Sequence, residues 1–257
     1  VRAVQAAYTA STNAKTAAFR LQESVQAKSS AGSSQNATIA GSGQVNFTTD
    51  SFKVTMNPPS GGSLTVLRTG GTEYIQVPAA QRSQIPGHKP WVSVNLDKVS
   101  QASLGASLSQ LSSVNSGNPA QALSQLADVS SQVIKTGSAT VGGVPTNVYR
   151  ADVSLSKLAA RVQAKAGAKA AQAIRQEAKA LGTSALPVQI WVDAHHLVRQ
   201  IRYRAPIPAA GGGAPPGSGT VTATITFYRY GVQVHLTPPP ASQTADITSQ
   251  VVRQAKG

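Results

Sequence analysis

The residues best suited to chemistry sit together in PVQIWVDAHHLVRQIRY, Pro187 to Tyr203, where Asp193 precedes His195 and His196 in a chain with four histidines. A carboxylate beside two imidazoles could serve a zinc ion or general acid–base catalysis. Adjacent strand residues point to opposite faces, however, so both histidines reach one metal only if the chain turns. Zinc takes three or four protein ligands, and the other two histidines, His88 and His235, fall in a Gly/Pro-rich loop and a terminal strand. The flanking pattern reads better as structure. Val188, Ile190 and Val192 alternate before the pair and Ile201 and Tyr203 after it, while Asp193 at a turn start can accept from backbone N–H groups ahead of it. The expected object is a hairpin tip, with no metal and no cofactor.

Other chemistry is scarce. There is no G-x-S-x-G elbow to expose a serine nucleophile, and the six Asp and three Glu form no close pair of the glycosidase kind. With no cysteine, disulfides, thiolate metal sites and thiol nucleophiles are excluded. Gly41-Ser42-Gly43 lacks the third glycine and following helix of a phosphate cradle, and Gly211 to Gly213 lie in a Pro-broken loop. The chain is expected not to be an enzyme.

Composition points elsewhere. The 257 residues are 40% hydrophobic but only 12% charged, with 23 Lys and Arg against 9 Asp and Glu, a net charge of +14. Such a balance attracts polyanions: nucleic acid, anionic lipid headgroups or cell-wall polymers. Aromatic residues are few and no nucleic-acid module is recognisable, so nucleic acid is not the expected partner. No apolar run reaches the ~20 residues of a membrane span. The chain opens without Met and is read as a trimmed, secreted ectodomain whose signal peptide is missing.

The elements that must position any site are mostly strands. A short helix is expected over residues 1–12. Alternating runs follow, with Val54 and Met56, Leu64 and Val66, Ile75 and Val77, then Val92 and Val94 each sharing one face. Gly70-Gly71 and Gly142-Gly143 mark hairpin turns. One apolar face and one Thr/Ser/Gln/Lys/Arg face is the pattern of an antiparallel sheet covered on one side. Residues 97–136 lose the alternation. Leu104, Leu108 and Leu111 form one helical stripe, and Leu123, Leu126 and Val133 a second that opens at Asn118-Pro119 and stops at Gly137. These helices are expected to cover the apolar face. A single basic helix follows, with Lys157, Arg161, Lys165 and Lys169 at a four-residue step, suited to anionic lipid headgroups. Residues 209–219 read as a flexible hairpin loop between strands, the second of which carries Ile225 and Phe227 on one face. A last strand, GVQVHL, precedes a polar tail over 241–257 that is expected to fray.

The order GTEYIQVP, IPGHKPWVSVNL, VGGVPTNVYRADVSLSKL, LPVQIWVDAHHLVRQIRY and TFYRYGVQVHLTPPPASQTADIT resembles the actinobacterial LolA-like envelope lipoproteins, the group that includes the mycobacterial LppX and LprG lipoproteins. The resemblance runs from about Phe19 to Ile247. It implies one α+β domain over 1–257, a half-barrel in which a strongly curved antiparallel sheet wraps around helices. It also implies binding of a lipid or acylated molecule in an apolar cavity and its transport or presentation in the cell envelope. The location would be extracytoplasmic, on the outer face of the cytoplasmic membrane, through an N-terminal lipid outside this chain. A membrane transporter or acceptor lipoprotein would be the partner of a monomer. It further suggests a left-handed backbone near His196, a conformation in which histidine is enriched among non-glycine residues. The lining expected from alternation and resemblance together is Val54, Met56, Leu64, Val66, Ile75, Val77, Val92, Val94, Ile190, Val192, Ile201, Ile225 and Phe227. Leu104, Leu108, Leu111, Leu123 and Leu126 would form the cover. The same fold also serves as an envelope sensor or protein-interaction domain without lipid, which is the alternative expectation.

Overall fold

A computed structural model describes residues 2–28, 34–58, 62–102, 118–126, 129–180, 182–206 and 219–254. Twelve strands form one sheet. In chain order they are β1 (Thr16–Lys28), β2 (Ser34–Asn46), β3 (Ser51–Asn57), β4 (Leu64–Thr69), β5 (Thr72–Gln76), β6 (Trp91–Asn95), β7 (Val129–Val141), β8 (Val144–Ser154), β9 (Ala185–Asp193), β10 (Val198–Pro206), β11 (Gly219–Tyr230) and β12 (Thr244–Asp246). Their spatial order is β12-β6-β5-β4-β3-β2-β1-β11-β10-β9-β8-β7. Every pairing is antiparallel except that of β12 with β6. The sheet is curved and does not close.

Hairpins set this order. Gly70-Gly71 and Gly142-Gly143 have positive φ at both positions, the requirement of the tight turns that match strand twist. The long pairing of β1 with β11 joins the N- and C-terminal halves, with Phe19 opposite Phe227 and Leu21 opposite Ile225. Because the side-chain period is two, this register puts Phe19, Leu21, Ile225 and Phe227 on the concave face and Arg20, Gln22, Thr224 and Thr226 on the outer one.

The helices are α1 (Arg2–Asn13), α2 (Leu96–Ala102), α3 (Pro119–Gln125), α4 (Leu155–Ala166), α5 (Ala168–Ala180) and α6 (Thr248–Gln254). The core lies between the concave face and two of them. Val4 and Ala7 of α1, and Ala122 and Leu123 of α3 with Leu126 just beyond it, pack on Phe19, Val45, Phe52, Val54, Ile190, Val192, Ile201 and Phe227. A smaller cluster, built on Leu155, Ala159, Ala171 and Ile174, holds α4 against α5 and against Leu186 of β9.

Four expectations are corrected. The cover does not run over 97–136 as helix: Val129–Val141 is strand β7, paired with β8, so Val133 belongs to the sheet and Gly137 sits at a register shift rather than a helix stop. Ser, Val and Thr here accept an extended edge more readily than a helix, and pairing outweighed the leucine spacing. The basic helix is two helices, since Gly167 with φ 86 ends α4. The segment after Gly231 forms no strand before residue 244. The tail is folded as far as residue 254: β12 pairs with β6, α6 packs on α2 and β6, and the Thr248 hydroxyl accepts from Asn95 N–H at 2.9 Å. Leu104, Leu108, Leu111 and the loop before residue 219 lie outside the described residues.

Candidate functional site

The Asp193 turn is structural. Its Oδ1 accepts from His195 N–H at 2.9 Å and Leu197 N–H at 2.8 Å, and its Oδ2 from Arg199 Nε at 2.7 Å. Asp193 is buried, whereas His195 and His196 are exposed. His196 has φ 61, the left-handed conformation that closes the turn between β9 and β10. The carboxylate spends its oxygens on the turn and on Arg199, and no group of metal-ligating side chains occurs among the described residues.

The sheet register brings every described strand residue of the expected lining to the concave face. Val54, Val66, Ile75 and Val92 form one row across β3, β4, β5 and β6. Val54 also faces Gly43, which faces Phe19, which faces Phe227. Strand β2 contributes Gly41 and Gly43 to this face. A Cβ on Gly43 would lie 2.1 Å from the Lys53 carbonyl oxygen and 2.8 Å from Phe19 Cζ, and one on Gly41 2.8 Å from the Thr55 carbonyl oxygen. These glycines let the Phe19 ring and the Met56 side chain lie across β2, which places Gly41-Ser42-Gly43 in the apolar wall.

Helix α3 is clasped on three sides. Asn118, buried at its start, accepts from Ala120 N–H at 3.0 Å and donates to Asp50 Oδ1 at 3.3 Å. Asp50 in turn pairs with Arg68 of β4 at 3.1 Å. The Tyr203 hydroxyl donates to the Ala122 carbonyl at 2.7 Å, and Arg161 of α4 donates to the Ser124 carbonyl at 3.1 Å. Arg161 thus serves the helical cover. Lys157 is exposed on α4, and the side chains of Lys165 and Lys169 lie outside the described residues.

The apolar face extends beyond this cover. Ile190, Ile201, Ile225, Phe227, Leu123 and Leu126 are fully enclosed, whereas Met56, Leu64, Val66, Ile75 and Val94 on the β3–β6 wing are half-buried. One carboxylate intrudes. Glu73 shares a row with Phe52, Arg68 and Val94. It is 4% exposed, and its Oε2 has no hydrogen-bond partner among the described residues. Burial raises its pKa to about 7, against the lowering pull of Arg68. Glu23, on the concave side of β1 opposite Ala223, is also raised by burial.

Sequence reading missed Glu73 as a core residue although it keeps the parity of Ile75. It also missed a groove of about 770 Å³ on the outer face, bounded by Arg20, Arg150, Arg202 and Arg204. The signal was R-Y-R at 202–204 on a strand, but the four arginines meet only through pairings between strands distant in sequence.

No family model and no curated protein matches the chain. Among solved structures it is similar to the Mycobacterium tuberculosis lipoprotein LppX, with 15% identity and a TM-score of 0.47 over 92% of this chain and 99% of that one. It is similar also to LprF from Mycobacterium bovis, with 15% identity and a TM-score of 0.41 over 93% and 97%. A LolA superfamily protein from Nitrosomonas europaea aligns with 8% identity and a TM-score of 0.29 over 93% and 96%. LppX is also one of the lipoproteins named in the resemblance read from the motif order.

Proposed function

We propose that the protein is a non-enzymatic envelope protein that binds a lipid or acyl chain on the concave face, beside α1 and α3, and carries or presents it. The observation that carries this reading is the half-buried apolar wing. Val66 and Ile75, in one row with Val54 and Val92, and Met56 and Leu64 in the adjacent row continue the enclosed core with apolar side chains. Burying an acyl chain there gains about 0.8 kcal/mol per CH₂. A chain of ten methylenes would gain on the order of 8 kcal/mol before the costs of association. The clasp on α3 fits a cover held by polar contacts to Asp50, Tyr203 and Arg161 and by apolar contacts beneath. The excess of cationic side chains, Lys157 among them, suits approach to an anionic membrane surface. An extracytoplasmic place agrees with the low charged fraction and the polar surface of Ser, Thr, Gln and Gly.

Titration with a fluorescent fatty acid tests the site. Saturable binding is expected, at least tenfold weaker in Val66→Asp and unchanged in Thr224→Asp on the outer face, with circular dichroism showing both variants folded. Absence of saturable binding, or equal loss in both variants, would favour a protein-interaction domain without lipid.

A further inference from the structure

We propose that the outer face of the sheet holds a second site, a groove for a linear anionic glycan whose carboxylate or phosphate groups are read by Arg20, Arg150, Arg202 and Arg204. The register builds it. One row across five strands runs Arg150 of β8, Gln189 of β9, Arg202 of β10, Thr224 of β11 and Gln22 of β1. The neighbouring row runs Trp191, Gln200, Thr226 and Arg20. Five strands span about 19 Å at the ~4.8 Å inter-strand spacing, the reach of several sugar rings. The groove of about 770 Å³ follows these rows, and no carboxylate lines it.

The arginines are placed and uncommitted. The Arg202 guanidinium lies 5.1 Å from the Trp191 ring centre and that of Arg20 4.9 Å from the Tyr228 ring centre. A guanidinium stacked on a ring keeps its N–H edge for a planar anion, which it meets bidentately. None of the four arginines has a hydrogen bond or ion pair among the described residues. Arg150 and Arg202 lie two strands apart, about 10 Å, too far to share one small anion and suited to successive charges along a polymer. Thr222, Thr224, Gln189 and Gln200 supply hydroxyls and amides between them, the groups that bond sugar hydroxyls.

Two other polyanions fit less well. Single-stranded nucleic acid needs open aromatic faces for its bases, and the rings of Trp191 and Tyr228 are taken by arginines. A bilayer is flat, and these charges line a recess. The site lies on the face opposite the apolar one, so either reading can fail without the other.

Fluorescence anisotropy with labelled oligogalacturonate at 150 mM salt is the test. Saturable binding is expected, at least tenfold weaker in Arg202→Gln/Arg204→Gln. Dextran oligomers of equal length should not bind. Lys135→Gln/Arg253→Gln, which removes the same charge elsewhere, should bind as wild type does. The proposal is overturned by absent binding, by equal weakening in both double variants, or by arginine dependence seen only with single-stranded DNA or phosphatidylglycerol vesicles.

Discussion

The Tyr203 hydroxyl of β10 donates to the Ala122 carbonyl of α3 at 2.7 Å, a bond between residues 81 positions apart that pins the helical cover to the sheet. Burial of the phenol raises its pKa, so it stays a donor at every physiological pH. Tyr203→Phe keeps the ring and leaves a carbonyl without its partner. The expected loss is about 1–3 kcal/mol in urea unfolding, with faster binding and release of a fluorescent fatty acid as the cover loosens.

Glu73 makes stability depend on pH. Its folded pKa of about 7 lies above its usual value of 4.5, so the folded protein holds the proton more tightly than the unfolded one. The contribution is fully favourable below the unfolded value, declines as pH rises from about 4.5, and is lost once pH passes about 7. Glu73→Gln should therefore raise stability at pH 8 by up to about 3 kcal/mol and change little at pH 4. Thermal melts at the two pH values check the sign.

Gly43 is required by close approach. Gly43→Ala drives a Cβ into the Lys53 backbone and the Phe19 ring, neither of which can withdraw without breaking β-pairing or the core. A loss of about 2–4 kcal/mol is expected. Gly142→Ala, at a turn with open space around it, should cost less, only the strain of a left-handed residue.

The Asp193 turn should behave as scaffold. Asp193→Asn removes the charge that holds Arg199 and should cost about 2–4 kcal/mol. His195→Ala should be nearly neutral, and His196→Gly neutral or slightly stabilising, because glycine takes positive φ without penalty. Added zinc should not shift the melting temperature of any of these proteins.

Much of the fold was legible where it is local. Alternation from Val188 to Val192 and from Leu64 to Val66, with the double-glycine turns, gave strands, faces and hairpins in the observed register. The His195-His196 turn was legible for the same reason. Long-range pairing was not. Nothing local shows that residues 129–141 leave a leucine-spaced run to pair with β8, or that residues 244–246 return to β6. The outer groove is the extreme case, since its arginines come from three strands, β1, β8 and β10, and Arg20 joins the others only when β1 pairs with β11.

Native mass spectrometry of the protein purified from a bacterial envelope tests the concave-face reading most directly. One copy of a bound lipid per chain is expected, retained at low collision energy, lost after organic extraction and strongly reduced in Val66→Asp. A wild-type spectrum at the bare polypeptide mass, unchanged after incubation with envelope lipids, would contradict it.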